Sequence, residues 1–162
     1  MTPTYIIIHH TASSRDKTTV SDVNAWHKVR NFTLSSLNFY VGYHYLILAT
    51  GEVVQTRKDD EVGCHCVAQN MNFKSIGICL TGNFDIEEPT KEQLNSLSDL
   101  VEKKLGEFNI SKDKVLGHRE VSSTECPGNN LFKWVLLNRE ISILQRIINF
   151  LLAKLKVAIQ NK

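Results

Sequence analysis

The sequence predicts an α/β domain, with helices flanking a β-sheet, followed by an extra C-terminal amphipathic helix. Short apolar runs rich in β-branched residues near positions 5–9 and 75–81 predict buried strands. Between and after them, apolar residues recur every three or four positions, as on one face of a helix. Of the 162 residues, 42% are hydrophobic and 22% are charged, which is typical of one globular domain with a short extension.

The first strand and helix are indicated near the N-terminus. Residues 5–9 form an apolar run that ends in a histidine, which predicts a buried strand. Ser21 is a suitable N-cap for a helix that follows. We expect one face of this helix to pack in the core, with Trp26 among the packed side chains. The residues on this face are Val23, Trp26 and Val29. Residues 31–42 have no regular pattern.

The middle of the chain predicts a hairpin and a second buried strand. Residues 43–49 and 52–56 are strand-like and flank a Thr-Gly turn. Residues 75–81 form another apolar run, in which we expect Cys79 to be buried. Thr90 and Gln93 then match a capping box at the start of a helix. The apolar stripe of that helix is Leu94, Leu97, Val101 and Leu105.

The last predicted helix differs from the rest of the chain. Its apolar stripe has heptad spacing and comprises Leu137, Ile141, Leu144, Ile148, Leu151, Leu155 and Ala158. We divide the chain into a domain over residues 1–135 and a C-terminal helix over 136–162. The stripe is compatible with packing on the domain, with self-association through residues 137–158, or with contact to an anionic membrane. The basic residues relevant to the third alternative are Arg146, Lys154, Lys156 and Lys162.

Charge and cysteine content exclude some classes of protein. The formal net charge is +2 and the pI is about 8.3, without a dense basic stripe interleaved with aromatics, so we expect no nucleic-acid partner. Four cysteines are too few for a disulfide framework in a chain of this size. The N-terminal residues lack the pattern of a secretory signal, so we expect synthesis in the cytoplasm without a signal peptide.

Three residues have the chemistry of a metal site. His9 closes the first predicted strand, a brief strand over residues 115–117 leads into His118, and Cys126 lies eight residues further along the same polar loop. Imidazole and thiolate are the ligands zinc prefers, and a catalytic zinc site keeps three of them plus water. Spacing alone leaves an alternative, since a free cysteine is often a small buried hydrophobe.

Five motifs in order make the pattern specific: IIIHHTAS, VGYHYLI, VGCHC, SIGICLTGNF and GHREVSSTECPG. Together they resemble the zinc-dependent N-acetylmuramoyl-L-alanine amidases of the type shared by phage endolysins and peptidoglycan recognition proteins. The resemblance runs from about Tyr5 to about Leu131. It implies a central mixed β-sheet flanked by helices, one zinc ion, and hydrolysis of the bond between N-acetylmuramic acid and L-alanine in bacterial peptidoglycan. An endolysin of this type acts at the cell wall.

The resemblance also implies roles for individual residues. His9, His118 and Cys126 match the zinc ligands of the family. Tyr43 matches a catalytic tyrosine. Thr124 stands where some phage members have a lysine and other amidases have a threonine, so it is our second catalytic candidate.

Further positions have less certain roles. His65 matches a family histidine near the substrate groove, with a structural role as the alternative. Arg57 is a candidate for binding a stem-peptide carboxylate, or else part of a solvated surface. Glu120 is a candidate general base, although a surface or supporting role is the simpler expectation. Cys64 and Cys66, which flank His65, are expected to be free thiols.

Two other functions fit the same motifs. One is a recognition module that binds peptidoglycan without cutting it, and the other is a cytoplasmic amidase that recycles anhydro-muropeptides. Non-catalytic relatives usually lose the cysteine ligand. Cys126 is present here, which favours catalysis.

Overall fold

The computed structural model describes the backbone of residues 1–160 and the side chains of residues 1–140, 147–148 and 151–152. Lys162, one of the basic residues named above, lies outside the described residues. The three α-helices are α1 (Val20–Val29), α2 (Lys91–Phe108) and α3 (Asn129–Gln160). The strands are β1 (Tyr5–His10), β2 (Tyr45–Ile47), β3 (Val53–Gln55), β4 (Ser75–Leu80) and β5 (Val115–Gly117).

The five strands form one mixed sheet in the order β3-β2-β4-β1-β5. The central strand β4 pairs in parallel with β1 and β2, and β1 pairs in parallel with β5. The hairpin partners β2 and β3 are antiparallel. This confirms the predicted mixed sheet, although β2 is shorter than the predicted run over residues 43–49.

The two faces of the sheet have different environments. Alternate residues of β1 and β4, such as Ile8 and Ile78, pack with α2 and the start of α3 in the main hydrophobic core. The intervening residues point to the opposite face because side chains alternate along a strand. There, the β1–β4 register places His9 directly beside Cys79, which is buried as predicted. The candidate site therefore lies on the face opposite the main core.

Helix α1 begins earlier than the sequence pattern suggested. Its N-cap is Thr19, whose side chain accepts from the backbone N–H of Asp22 while the Asp22 carboxylate accepts from the Thr19 N–H. The prediction of Ser21 as N-cap is wrong, because this reciprocal pair satisfies two free backbone donors and a cap at Ser21 would not.

The buried face of α1 is narrower than predicted. Val23 and His27, four residues apart, face the domain. Trp26 is 43% exposed and Val29 is largely exposed, so the predicted packing of Trp26 in the core is wrong. A ten-residue surface helix buries one ridge of side chains, and here that ridge passes through His27.

Helix α2 confirms the predicted capping box. The Thr90 hydroxyl accepts from the Gln93 N–H, and the Gln93 side chain accepts from the Thr90 N–H. The helix ends at Asn109, which has a left-handed conformation with φ 52°. Its apolar stripe, including Leu97 and Leu105, packs into the main core.

Helix α3 is continuous across the predicted boundary at residue 135. Leu131 and Val135 are buried in the core, whereas the described hydrophobic side chains beyond them are exposed. Packing of the stripe on the domain is therefore not observed for Leu137, Ile148 and Leu151. The other stripe positions lie outside the described side chains. Among the described residues, no helix is both long and apolar enough to cross a membrane.

Candidate metal centre

The three predicted metal ligands converge at one edge of the sheet. His9 is the second-to-last residue of β1, His118 begins the short helical turn after β5, and Cys126 lies in the loop before α3. Because β1 and β5 are parallel neighbours, their carboxyl ends meet. One donor atom from each of the three side chains lies within 4.8 Å of the other two. The Cys126 Sγ and His9 Nδ1 atoms are 3.6 Å apart.

Backbone contacts hold the Cys126 loop in place. The N–H of Arg119 donates to the Cys126 carbonyl at 2.8 Å, and the Cys126 N–H donates to the Thr124 hydroxyl at 3.2 Å. The N–H of His10 points at the Cys126 sulfur, 3.5 Å away. An amide donor aimed at sulfur stabilises the thiolate that a metal requires.

A glycine is required where this loop turns into α3. Gly128 has φ 84°, a conformation that favours glycine. A Cβ atom there would lie 2.5 Å from the carbonyl carbon of Phe84. The close approach lets the loop that carries Cys126 pack against the loop that follows β4.

His65 contacts His9, one of the three predicted metal ligands, directly. The His9 Nε2 and His65 Nδ1 atoms are 3.0 Å apart, and both rings are buried. The His65 ring occupies space left by two glycines: a Cβ atom on Gly77 or Gly63 would lie 2.6 or 2.5 Å from it. A metal bound at the Nδ1 atom of His9, which faces Cys126, would leave the proton on Nε2, where it would donate to His65. This contact holds the ring of His9 in its orientation.

The electrostatic environment keeps the histidines neutral. Burial, reinforced by the neighbouring histidines, lowers the pKa of His9 well below its usual value, and burial lowers the pKa of His118. Burial raises the pKa of the Cys126 thiol to about 12. A bound cation reverses that effect, because a coordinating thiol gives up its proton to the metal. Two neutral imidazoles and one thiol within 4.8 Å are a donor set that fits one zinc ion.

Tyr43 is brought beside this cluster. Its ring centroid lies 5.1 Å from that of His9, and its side chain packs against the apolar cluster that contains the buried Cys79. Burial raises the pKa of Tyr43 well above its usual value. At neutral pH its hydroxyl is therefore a proton-bearing hydrogen-bond donor.

The cluster opens into a cleft of about 480 Å³, within the usual size range of small-molecule sites. The cleft brings together the predicted ligands, Tyr43, Thr124 and His65. Sequence analysis missed Arg30, Asn83 and Asp85, which also line it. Asn83 and Asp85 follow the carboxyl end of β4, a position that indicates function in parallel sheets. No pattern singles out Arg30. The remaining lining residues are His10, Thr11, Ala12 and Glu125.

Arg57 does not lie in the cleft. Its side chain is buried, and its Nε atom donates to the Val41 carbonyl at 2.7 Å. The other guanidinium nitrogens donate to the carbonyls of Val62 and Thr33. Neither role predicted for Arg57, contact with a stem-peptide carboxylate or exposure on a solvated surface, matches this placement. The guanidinium nitrogens already donate to three separate backbone segments.

Glu120 also lies outside the cleft. Its carboxylate accepts from the Gly117 N–H at 2.8 Å and pairs with Arg139 at 2.7 Å. It therefore supports the turn that carries His118, which matches the supporting role and not the general-base role. Cys64 and Cys66 are free thiols, as predicted.

Comparison with known proteins gives consistent matches. Residues 1–129 match the family model described as N-acetylmuramoyl-L-alanine amidase. The peptidoglycan-recognition protein SC2 of Drosophila melanogaster is 34% identical over 130 residues, which cover 79% of this chain and 70% of the relative.

Solved structures agree with the sequence matches. The endolysin N-acetylmuramoyl-L-alanine amidase LysCS from Clostridium intestinale superposes with a TM-score of 0.73 and 30% identity, over 86% of this chain and 85% of that one. A variant of Drosophila PGRP-LB, in complex with tracheal cytotoxin, superposes with a TM-score of 0.69 and 30% identity, over 83% and 81% of the two chains. These relatives include an amidase and proteins named for recognition.

Proposed function

The chain belongs to the N-acetylmuramoyl-L-alanine amidase family, and from that premise we propose that it is a catalytic, zinc-dependent member. Its substrate is the amide bond between N-acetylmuramic acid and L-alanine in bacterial peptidoglycan. The observation that carries the proposal is the convergence of His9, His118 and Cys126, with donor atoms within 4.8 Å of one another on the wall of the cleft. A module that only binds peptidoglycan has no need of this donor set.

The three side chains would hold one zinc ion, which when bound lowers the pKa of a water molecule and polarises the scissile carbonyl. His65 serves this site by fixing the ring of His9 through the 3.0 Å contact. The backbone N–H of His10 stabilises negative charge on the Cys126 sulfur. Both histidines of these contacts that belong to β1 lie on a strand that is paired on both sides.

Tyr43 supplies the hydrogen-bond donor for the transition state. Attack on an amide carbonyl places negative charge on its oxygen, and a half-buried, neutral phenol stabilises that charge without reorganising water. The raised pKa of Tyr43 keeps its proton in place at neutral pH. The ring of Tyr43 lies beside His9, so its donor is close to the side chains that would hold the zinc ion.

Thr124 and the cleft carboxylates complete the proposed chemistry. The Thr124 oxygen accepts from the Cys126 N–H, which leaves its own proton to donate to the substrate or to water. Amide cleavage also needs a proton to leave the attacking water and a proton to reach the departing amine. Asp85 and Glu125 are the carboxylates that line the cleft, and we assign that proton transfer to them in place of Glu120.

We further propose a lytic role at the cell wall, as an endolysin. Similarity to LysCS, which is named an endolysin, supports this role. The complex of a PGRP-LB variant with tracheal cytotoxin supports a muropeptide-like ligand for this type of cleft.

The test is digestion of purified peptidoglycan by the full chain, with new L-alanine amino termini as the readout. We expect such termini with zinc, and none after a chelator removes it. Cys126→Ala should abolish the reaction, and Cys64→Ala, which alters a free thiol outside the cluster, should retain it. Binding to peptidoglycan without new termini would identify a recognition module. Cleavage of soluble anhydro-muropeptides alone would identify a recycling enzyme.

A further inference from the structure

The outer part of α3 presents apolar side chains to solvent. Leu131 and Val135 are fully buried at its start. Further along, Ile147, Ile148, Leu151 and Leu152 are 51%, 48%, 58% and 51% exposed. Four large hydrophobic side chains left half exposed on one helix indicate a contact surface.

These exposed residues share one face. Ile147 and Leu151 are four apart along the helix, as are Ile148 and Leu152, so the two pairs form adjacent ridges. In the sequence, apolar residues continue at the same spacing to Leu155 and Ala158. A face two ridges wide is broader than the seam of a two-stranded coiled coil, which uses two positions in seven.

Charge is distributed unevenly between the domain and this segment. Residues 141–162 contain three lysines and one arginine and neither aspartate nor glutamate. The whole chain has a net charge of +2, so residues 1–140 carry a net charge of −2. The basic character of the chain therefore resides entirely in the segment with the exposed apolar face.

We propose that this segment, residues 141–162, lies on the surface of an anionic lipid membrane, with its apolar face at the acyl boundary. Pairing with the same segment of a second copy is less favourable, because it would bring cations against cations with no acidic residue in either segment to pair with them. Anionic headgroups offset that charge, and each added cation strengthens binding roughly five-fold. The proposal is independent of the amidase function.

The test is co-sedimentation of the full-length protein with vesicles. Vesicles of phosphatidylglycerol and phosphatidylcholine should bind it, and vesicles of phosphatidylcholine alone should bind it much more weakly. Ile148→Glu removes an apolar contact and changes the charge by one, and should weaken binding by roughly fifty-fold or more. The matched control Ser142→Glu makes the same charge change in the same helix, on the side opposite the apolar face, and should weaken binding only roughly five-fold.

Three outcomes would overturn the proposal. The first is equal binding to both kinds of vesicle, and the second is an equal effect of the two variants on binding. The third is the absence of vesicle binding together with a dimer in sedimentation equilibrium that Ile148→Glu dissociates. The last result would identify a second copy as the partner. Because Ile148 is half exposed, both variants should keep the melting temperature of the parent chain.

Discussion

The contact between His65 and His9 should raise the affinity of the metal centre for zinc. His65→Leu removes the acceptor at Nδ1 and leaves the buried Nε2–H of His9 without its 3.0 Å partner. Loss of such a supporting partner typically weakens metal binding 10–100-fold. His9 is buried, so water does not replace the lost acceptor, and we expect the upper end of that range. A factor of about 100 corresponds to about 2.7 kcal/mol.

Two amide variants separate this positioning role from a general effect on packing. Asn carries its side-chain oxygen near the place of Nδ1, whereas Gln carries it further out. His65→Asn should therefore bind zinc within a few-fold of the parent, and His65→Gln should resemble His65→Leu. Zinc competition with a chromophoric chelator measures the affinities, and the visible spectrum of the cobalt form reports the ligand geometry. Parent-like affinity in His65→Leu, or equal affinities in the two amide variants, would refute this reasoning.

Three further predictions concern His27, Tyr43 and Arg57. Burial, with Arg30 and Arg57 nearby, lowers the pKa of His27 to about 4. As the pH falls, His27 is therefore protonated in the unfolded chain before it is protonated in the folded protein. The free energy of unfolding consequently decreases below about pH 6.5. Urea unfolding should show that His27→Asn, which keeps an acceptor for the Gly42 N–H, loses roughly 1–2 kcal/mol less than the parent between pH 7 and pH 5. Tyr43→Phe should lower kcat/KM by roughly 100-fold in the L-alanine release assay while its zinc affinity stays unchanged, and full activity would exclude its role as donor. Arg57→Lys should lower the free energy of unfolding by about 2 kcal/mol, because lysine cannot reproduce the guanidinium contacts. A raised KM at unchanged stability would instead indicate that Arg57 binds the substrate.

The strands and the second helix could be predicted from the sequence because short segments of the chain carry clear patterns for them. Strands β1 and β4 are continuous apolar runs, and the Thr90–Gln93 pair marks the start of α2. The start of α1 was misplaced because Thr19 and Ser21 are both good caps and only the partner Asp22 decides between them. The exposure of Trp26 follows from how α1 docks on the sheet, which helical spacing does not specify.

The sequence predicted the three candidate ligands, and not the contacts that support them. The order of the motifs singled out His9, His118 and Cys126, which the structure brings together. The contact of His65 with His9 and that of Tyr43 with Cys79 depend on which strands pair and in which register, and that information is not local. Arg57 was misassigned for the same reason, because its acceptors come from three separate backbone segments.

We propose that His9, His118 and Cys126 form one catalytic zinc site. The most direct test of this site is titration of the metal-free protein with zinc while the release of L-alanine amino termini from peptidoglycan is followed. Activity should be absent at the start, rise in proportion to the added zinc, and reach its plateau at one ion per chain. Full activity without metal, or a plateau at any other ratio, would contradict this account.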